Sequence, residues 1–291
     1  MYEICCIGHI TLDKVVTPKH EAHMAGGTAF YFSHAIAGMP TSYMLVTALA
    51  ESEMAAVEAL RAKGIAVMAL PSKYSVYFEN IYPEHHDHRI QRVLQLADPF
   101  LPEQLAGIAA AMYHLGPLTA HDMSIDLIRF LAGKGKVSLD VQGYLREVRE
   151  QKVFAVDWKE KREALPYIGI LKANESEAEV LTGHKDVAEA ARVLNSWGVE
   201  EVVITLGSMG SVIYRDGLFT EIPAFLFTDE IDATGCGDTY MAGYLLQRAK
   251  GMPVEKAGLF AAAMAGMKIG VMGPFAGSED DVWRSLNEKG I

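Results

Sequence analysis

The stretch Asp232-Ala233-Thr234-Gly235-Cys236-Gly237-Asp238-Thr239-Tyr240 runs directly into an apolar helical pattern over residues 237–250. Two glycines let the backbone come close to a ligand, and the free N–H groups at a helix start attract an anion. Beside a bound phosphate, the Asp238 carboxylate could take the proton of an attacking hydroxyl. The competing account is a tight turn in which Asp238 merely favours the helix N-terminus through the macrodipole. No GxxxxGK(S/T), HExxH or GxSxG occurs, and Gly235-x-Gly237-x-x-Tyr240 fails the dinucleotide fingerprint. P-loop, zinc-peptidase and α/β-hydrolase chemistry therefore lose their main support.

Other groups could join this stretch. Asn174 and Glu177 stand three apart at a predicted helix start, so both can face one point, and the same spacing makes an N-cap with its capping box. Lys172 could reach a phosphate, although a lysine at a strand end is expected to be exposed. Thr205-Leu206-Gly207-Ser208-Met209-Gly210 reads as a strand-to-turn link that a ligand can approach, or as a turn alone. Asp140-Val141-Gln142-Gly143-Tyr144-Leu145-Arg146 follows a central strand at its C-terminal end, where α/β proteins place ligands. His85-His86-Asp87-His88 suggests a metal but lies at a hairpin tip, where solvated polar residues are expected.

The elements that must position these residues form a βα rhythm. Strands are predicted at 4–8, 43–49, 65–70, 112–115, 136–141, 168–172 and 202–206, with helices at 30–39 and 54–63, which predicts a mostly parallel, buried sheet with helices on both faces. Residues 74–96 break the rhythm with two strand-like runs around Pro83 and the histidines, a hairpin inserted in the α/β body. A second hairpin, 211–214 with 218–222, turns at Asp216-Gly217, and the Ala-rich run 254–267 is a core helix.

Composition narrows the class. The 291 residues carry 26 Lys+Arg against 37 Asp+Glu, a formal charge of −11, which argues against gripping nucleic acid or an anionic membrane. Cys5, Cys6 and Cys236 have no metal spacing, and the adjacent pair reads as strand residues in a reducing compartment. No secretory signal is visible, and the apolar run 257–267, bounded by Lys256 and Lys268, is too short to span a bilayer. A soluble, cytoplasmic protein is expected.

The 232–240 stretch resembles the second signature of the ribokinase-like, or PfkB, family of small-molecule kinases, D-T-x-G-A-G-D-x-F, with Ala233 and Cys236 as departures. Gly8 and Asp13, Gly26-Gly27, Asn174-Glu175-Ser176-Glu177 and 205–210 match further elements in the family's order, over almost the whole chain. The resemblance implies one kinase domain over 1–291, a three-layer αβα sandwich with a small β lid formed by about 12–24 and 73–97.

It also implies roles. Asp238 would be the base, and the N–H groups of Gly235, Cys236 and Gly237 an anion hole for the transferred γ-phosphoryl of ATP. Asn174 and Glu177 would organise Mg²⁺ through water, while Thr205, Gly207, Gly210 and Ala262 would lie along the nucleotide. Asp13, Gly26 and Gly27 would grip acceptor hydroxyls, with Tyr31 where many sugar kinases of the family carry Asn. Asp232 and Thr234 match the place where some relatives hold a monovalent cation such as K⁺.

The implied acceptor is a sugar, cyclitol or nucleoside, unphosphorylated because no Lys or Arg accompanies Asp13 and Gly26-Gly27. Glu79, Asn80 and Tyr82 offer lid contacts, and Val76, Phe78 and Tyr82 at even spacing either pack inward or form an apolar patch for a homodimer. The alternatives are a non-catalytic nucleotide- or sugar-binding sensor, which the retained Asp238 disfavours, and a vitamin or hydroxymethyl-pyrimidine kinase.

Overall fold

The computed structural model describes residues 1–18, 20–81 and 90–291. Its strands are β1 (Tyr2–Gly8), β2 (Thr11–Val16), β3 (Glu21–Gly26), β4 (Tyr43–Leu49), β5 (Ala66–Pro71), β6 (Val76–Ile81), β7 (Ile90–Gln95), β8 (Ala110–Gly116), β9 (Lys136–Asp140), β10 (Arg146–Arg149), β11 (Lys152–Ala155), β12 (Ile170–Asn174), β13 (Glu201–Thr205), β14 (Ser211–Arg215) and β15 (Leu218–Ile222). The helices are α1 (Thr28–Ile36), α2 (Met54–Ala62), α3 (Ile125–Ala132), α4 (Lys161–Ala164), α5 (Glu175–Thr182), α6 (Val187–Ser196), α7 (Cys236–Ala249), α8 (Val254–Ile269) and α9 (Glu279–Glu288).

Nine strands form the large sheet in the order β15-β14-β13-β12-β9-β8-β1-β4-β5. It is parallel from β13 to β5, and the β14–β15 hairpin adds an antiparallel edge. Successive side chains of a strand point to opposite faces, so each strand feeds two cores. Ile4 and Cys6 pack with Phe32 of α1, Leu60 of α2, Tyr244 of α7 and Phe260 of α8, while Cys5 and Ile7 pack with Leu127 of α3, Leu181 of α5 and Leu194 of α6. The result is the expected three-layer αβα sandwich. Burial pushes the Cys5 thiol up to about 12, as befits a core residue.

The chain runs from β1 to β4 and β5 on one side, then returns to place β8 on the other side of β1. Ligands in such sheets bind at this reversal, outside the carboxyl ends of the strands. Gly8 and Gly116 pair there, and a Cβ on Gly116 would lie 2.4 Å from Thr28 Cγ2, so a bare backbone is needed for α1 to enter over the sheet.

A second sheet runs β10-β11-β7-β6-β2-β3. It contains the hairpin inserted between β5 and β8 and also two strands from 146–155 that periodicity does not single out. Glu150 and Gln151 take positive φ at the turn between them, without a glycine to announce it. Val76 and Phe78 are buried with Val93, Ala97 and Leu118 under this sheet, so they do not form an exposed patch for a second copy. Tyr82 and the histidine cluster lie outside the described residues.

Candidate active site

Adjacent strands of the large sheet deliver the polar residues in register. Lys172 pairs with Asp140 across β12 and β9, and Asn174 with Thr205 across β12 and β13, all at the carboxyl end. Lys172 is buried rather than exposed, and its Nζ donates to Asp140 Oδ2 at 2.9 Å. A buried ammonium is tolerable only when paired. Burial alone would lower the Lys172 pKa, yet the carboxylates of Asp140, Glu177 and Asp238 hold it above its ordinary value. A Cβ on Gly237 would sit 3.4 Å from Lys172 Nζ, so this ammonium borders the first turn of α7.

At that turn Gly235 adopts φ 76°, ψ 6°, a left-handed conformation that a Cβ would strain. Helix α7 then starts at Cys236, and the first-turn amides of Gly237 and Asp238 are those a helix leaves without carbonyl partners. The Cys236 amide differs from expectation, because it closes a turn onto the Ala233 carbonyl at 3.2 Å. Burial pushes the Asp238 carboxyl up to about 6, with Asp140 adding to the rise and Lys172, the Thr28 hydroxyl and Arg146 opposing it. A carboxylate titrating there can both hold and surrender a proton near neutrality.

Tyr31 joins the acceptor and phosphate motifs in an unexpected way. It is 4% exposed, and a Cβ on Gly235 would lie 2.2 Å from its ring, so the ring packs on the glycine. Burial first, then the charges of Asp232, Asp13 and Asp238, push its phenol well above the ordinary range. The motif residues from the first and last thirds of the chain thus converge on one ring. Asp13 accepts from Thr11 Oγ1 at 2.7 Å, and a Cβ on Gly26 would fall 2.6 Å from Asp13 Oδ2. Gly27, at φ 85°, lies against the His9 carbonyl, where a Cβ would come within 2.6 Å.

Asn174 and Glu177 form a full capping box: Glu177 N donates to Asn174 Oδ1 at 2.9 Å and Asn174 N to Glu177 Oε2 at 2.7 Å. The box leaves Glu177 Oε1 outside it, and burial raises the Glu177 carboxyl against the pull of Lys172. Among the described residues no group of three or more His, Cys, Asp or Glu is arranged to hold a metal. Three carboxylates, Asp140, Glu177 and Asp238, nevertheless face two cations, Lys172 and Arg146. A hydrated divalent cation that arrives with phosphates needs only one or two such carboxylates beside it, not a closed ligand cluster.

Two of the expected nucleotide contacts also meet packing demands. A Cβ on Gly210, at φ 98°, would lie 2.0 Å from the Ile222 carbonyl, so the β14–β15 hairpin itself demands glycine. Ala262, 6% exposed, belongs to the core cluster with residues of α7 and α8. Small residues at helical spacing serve packing here. Thr205 and Gly207 stay at the carboxyl edge, Gly207 opening a short turn at φ 57° with nothing within 4 Å of a Cβ.

The pair Asp232 and Thr234 is bonded within the chain. Thr234 N donates to Asp232 Oδ1 at 2.9 Å, and the other oxygen, Oδ2, receives Lys268 Nζ at 3.0 Å. Lys172 is buried where exposure was expected, and Lys268, which only bounded an apolar run in the sequence, is buried as well. The run of apolar residues before each was the available signal that both side chains start from a dry layer.

A family model described as pfkB family carbohydrate kinase matches residues 144–281. A solved pyrophosphate-dependent kinase in the ribokinase family, complexed with a pyrophosphate analog and myo-inositol, superimposes with TM-score 0.85 at 30% identity, covering 97% of this chain and 99% of that one. The chain belongs to the PfkB, or ribokinase-like, kinase family. It is an enzyme of that family, a phosphotransferase. The cytidine kinase of Thermococcus kodakarensis is 29% identical over 272 residues, 88% of this chain and 92% of its own. Ribokinase of Arabidopsis thaliana, complexed with ribose and ATP, shares the fold with TM-score 0.82 at 20% identity.

Proposed function

We propose that this kinase moves a terminal phosphoryl group from ATP to a hydroxyl of a small polyhydroxylated acceptor, a nucleoside, a sugar or a cyclitol. The observation that carries the reading is Asp238, raised to about 6 at the head of α7, beside the first-turn amides and the Lys172 ammonium. The acceptor O–H gives its proton to the Asp238 carboxylate as its oxygen bonds to phosphorus. The bond from phosphorus to the bridging oxygen breaks, and ADP leaves with that electron pair. The Gly237 and Asp238 amides and Lys172 hold the charge that develops on the phosphoryl oxygens.

Magnesium, when bound with the phosphates, neutralises their charge. Glu177 Oε1 and the Asn174 side chain would hold its waters, and Thr205 and Gly207 would border the donor. Asp13 accepts from acceptor hydroxyls, with the Gly26 and Gly27 backbone at its side, and Tyr31 keeps the Gly235 turn in place. Nucleoside and cyclitol acceptors both have support, since the cytidine kinase of T. kodakarensis and the myo-inositol complex are similar over nearly the whole chain.

A second donor, inorganic pyrophosphate, is favoured by a specific finding: a solved relative, 30% identical and covering 97% of this chain, is described as pyrophosphate-dependent. The test is phosphorylated product, measured for ATP and for pyrophosphate with magnesium against nucleosides, pentoses, hexoses and inositols. Turnover of one acceptor, lost in Asp238→Asn, supports the reading. Donor binding without turnover of any acceptor overturns it, and turnover with pyrophosphate alone moves the donor assignment to the second reading.

A further inference from the structure

Lys268 is wholly buried in the last turn of α8, where the sequence has it merely closing an apolar run. An ammonium has three protons to donate and no lone pair. Its Nζ lies 2.7 Å from the Asp232 carbonyl, 3.0 Å from Asp232 Oδ2 and 3.4 Å from the Val271 carbonyl. The same Oδ2 receives the Gly273 amide at 3.4 Å. Carbonyl and carboxylate oxygens converging from two loops are the surroundings a dehydrated monovalent cation takes. Here the cation at their centre is part of the chain.

The loops joined in this way lead to the proposed phosphate site. Asp232 stands three residues before Gly235, and Ile231 N and Asp232 N donate to the Ile269 carbonyl at 2.9 and 3.0 Å, so the strap before α7 is tied to the end of α8. Burial works to raise the Asp232 carboxyl, but the Thr234 amide and hydroxyl and Lys268 together hold it below its ordinary value. A free potassium ion on Asp232 and Thr234 would meet the buried Lys268 charge on the same carboxylate, a like-charge contact. The residues present therefore do not fit a separate monovalent cation.

We infer that Lys268 is a positioning residue whose ammonium replaces a monovalent cation, fixing the 232–237 strap so that the kinase works without potassium. The inference rests on the kinase reading for its effect on turnover, and its direct test does not. Wild-type turnover is measured with choline, sodium or potassium as the only monovalent cation, beside Lys268→Met. Thallium(I), a potassium substitute, is titrated into both proteins and followed by thallium NMR.

The expected result is wild-type turnover that changes by less than about twofold among the cations. Lys268→Met in choline should lose at least about tenfold in kcat with a smaller change in KM, and regain most of it with potassium or ammonium. Thallium should bind the variant and not the wild type. Wild-type turnover that rises about tenfold with potassium overturns the inference, as does displaceable thallium bound to the wild type. The thallium result stands even if no acceptor is turned over, and the wild-type arms decide the matter even if Lys268→Met does not fold.

Discussion

The large sheet and the second sheet treat their faces differently. In β1 every residue from Ile4 to Gly8 is buried, alternating between two helical layers, whereas in β3 His23 and Met24 are exposed and β2 is half-buried from Leu12 to Val16. Its charges include partly exposed pairs, Lys14 with Glu21 at 3.2 Å and with Glu79 at 3.6 Å. The charges at the carboxyl end of the large sheet are buried, Lys172 with Asp140 foremost. Low dielectric strengthens each of these and penalises any that loses its partner. The comparison teaches where each task can reside: electrostatic work on a phosphoryl group needs the dry, rigid sheet, while selection among acceptors can be left to the wetter one.

The sharpest way to break that division is Asp238→Asn. It should lower kcat by about 10²–10⁴-fold in steady-state assays while leaving donor KM within a few-fold. In the wild type, kcat/KM should fall as pH drops through about 6, because the protonated carboxyl cannot accept a proton. The stability effect has the opposite sign. Asp238 titrates near 6 when folded against an ordinary 3.8, so its favourable contribution is complete below 3.8 and is lost as pH rises through about 6. Thermal unfolding at pH 8 should therefore show the Asn variant more stable by about 1–3 kcal/mol, with the gap closing toward pH 4.

Next in size is Lys172→Met. It leaves Asp140 buried without its ammonium and removes a cation from the donor side, so we expect about 10²-fold lower kcat and a lower unfolding midpoint, checked by kinetics and calorimetry. Asp13→Asn keeps the shape but weakens acceptance from hydroxyls. A drop of about ten- to a hundredfold in acceptor kcat/KM with unchanged donor KM would keep acceptor binding apart from donor chemistry. The smallest effect belongs to Glu79→Gln, whose pairs with Lys14 and Arg92 are both long, at 3.6 Å. Unfolding should shift by less than about 1 kcal/mol. A large loss of turnover there would mean that the second sheet takes part in the chemistry, and the division would fail.

The βα alternation, the Gly235–Gly237 turn with Asp238 and the pairing of Asn174 with Glu177 were legible in the sequence, because buried strands, helix starts and tight turns are local and each restricts the residues that can form it. Strands β10 and β11 were not legible, since they are short, join the sheet among the described residues only where Lys152 of β11 pairs with Arg92 of β7, and turn at Glu150 and Gln151 instead of glycine. Tyr31 shows the limit at the site. Its departure from the family's Asn was visible, but that its ring lies on Gly235 depends on α1 and α7 meeting over the sheet.

By itself the sequence determined which groups could handle a phosphoryl group and in what order the elements carry them. Only the tertiary structure decided the environment of the two lysines. Lys172 and Lys268 each follow apolar residues, and a lysine there can snorkel to water or stay inside. Packing closed the route to water for both, and a buried ammonium must then take the nearest oxygens: Asp140 for the one, Asp232 and Val271 for the other.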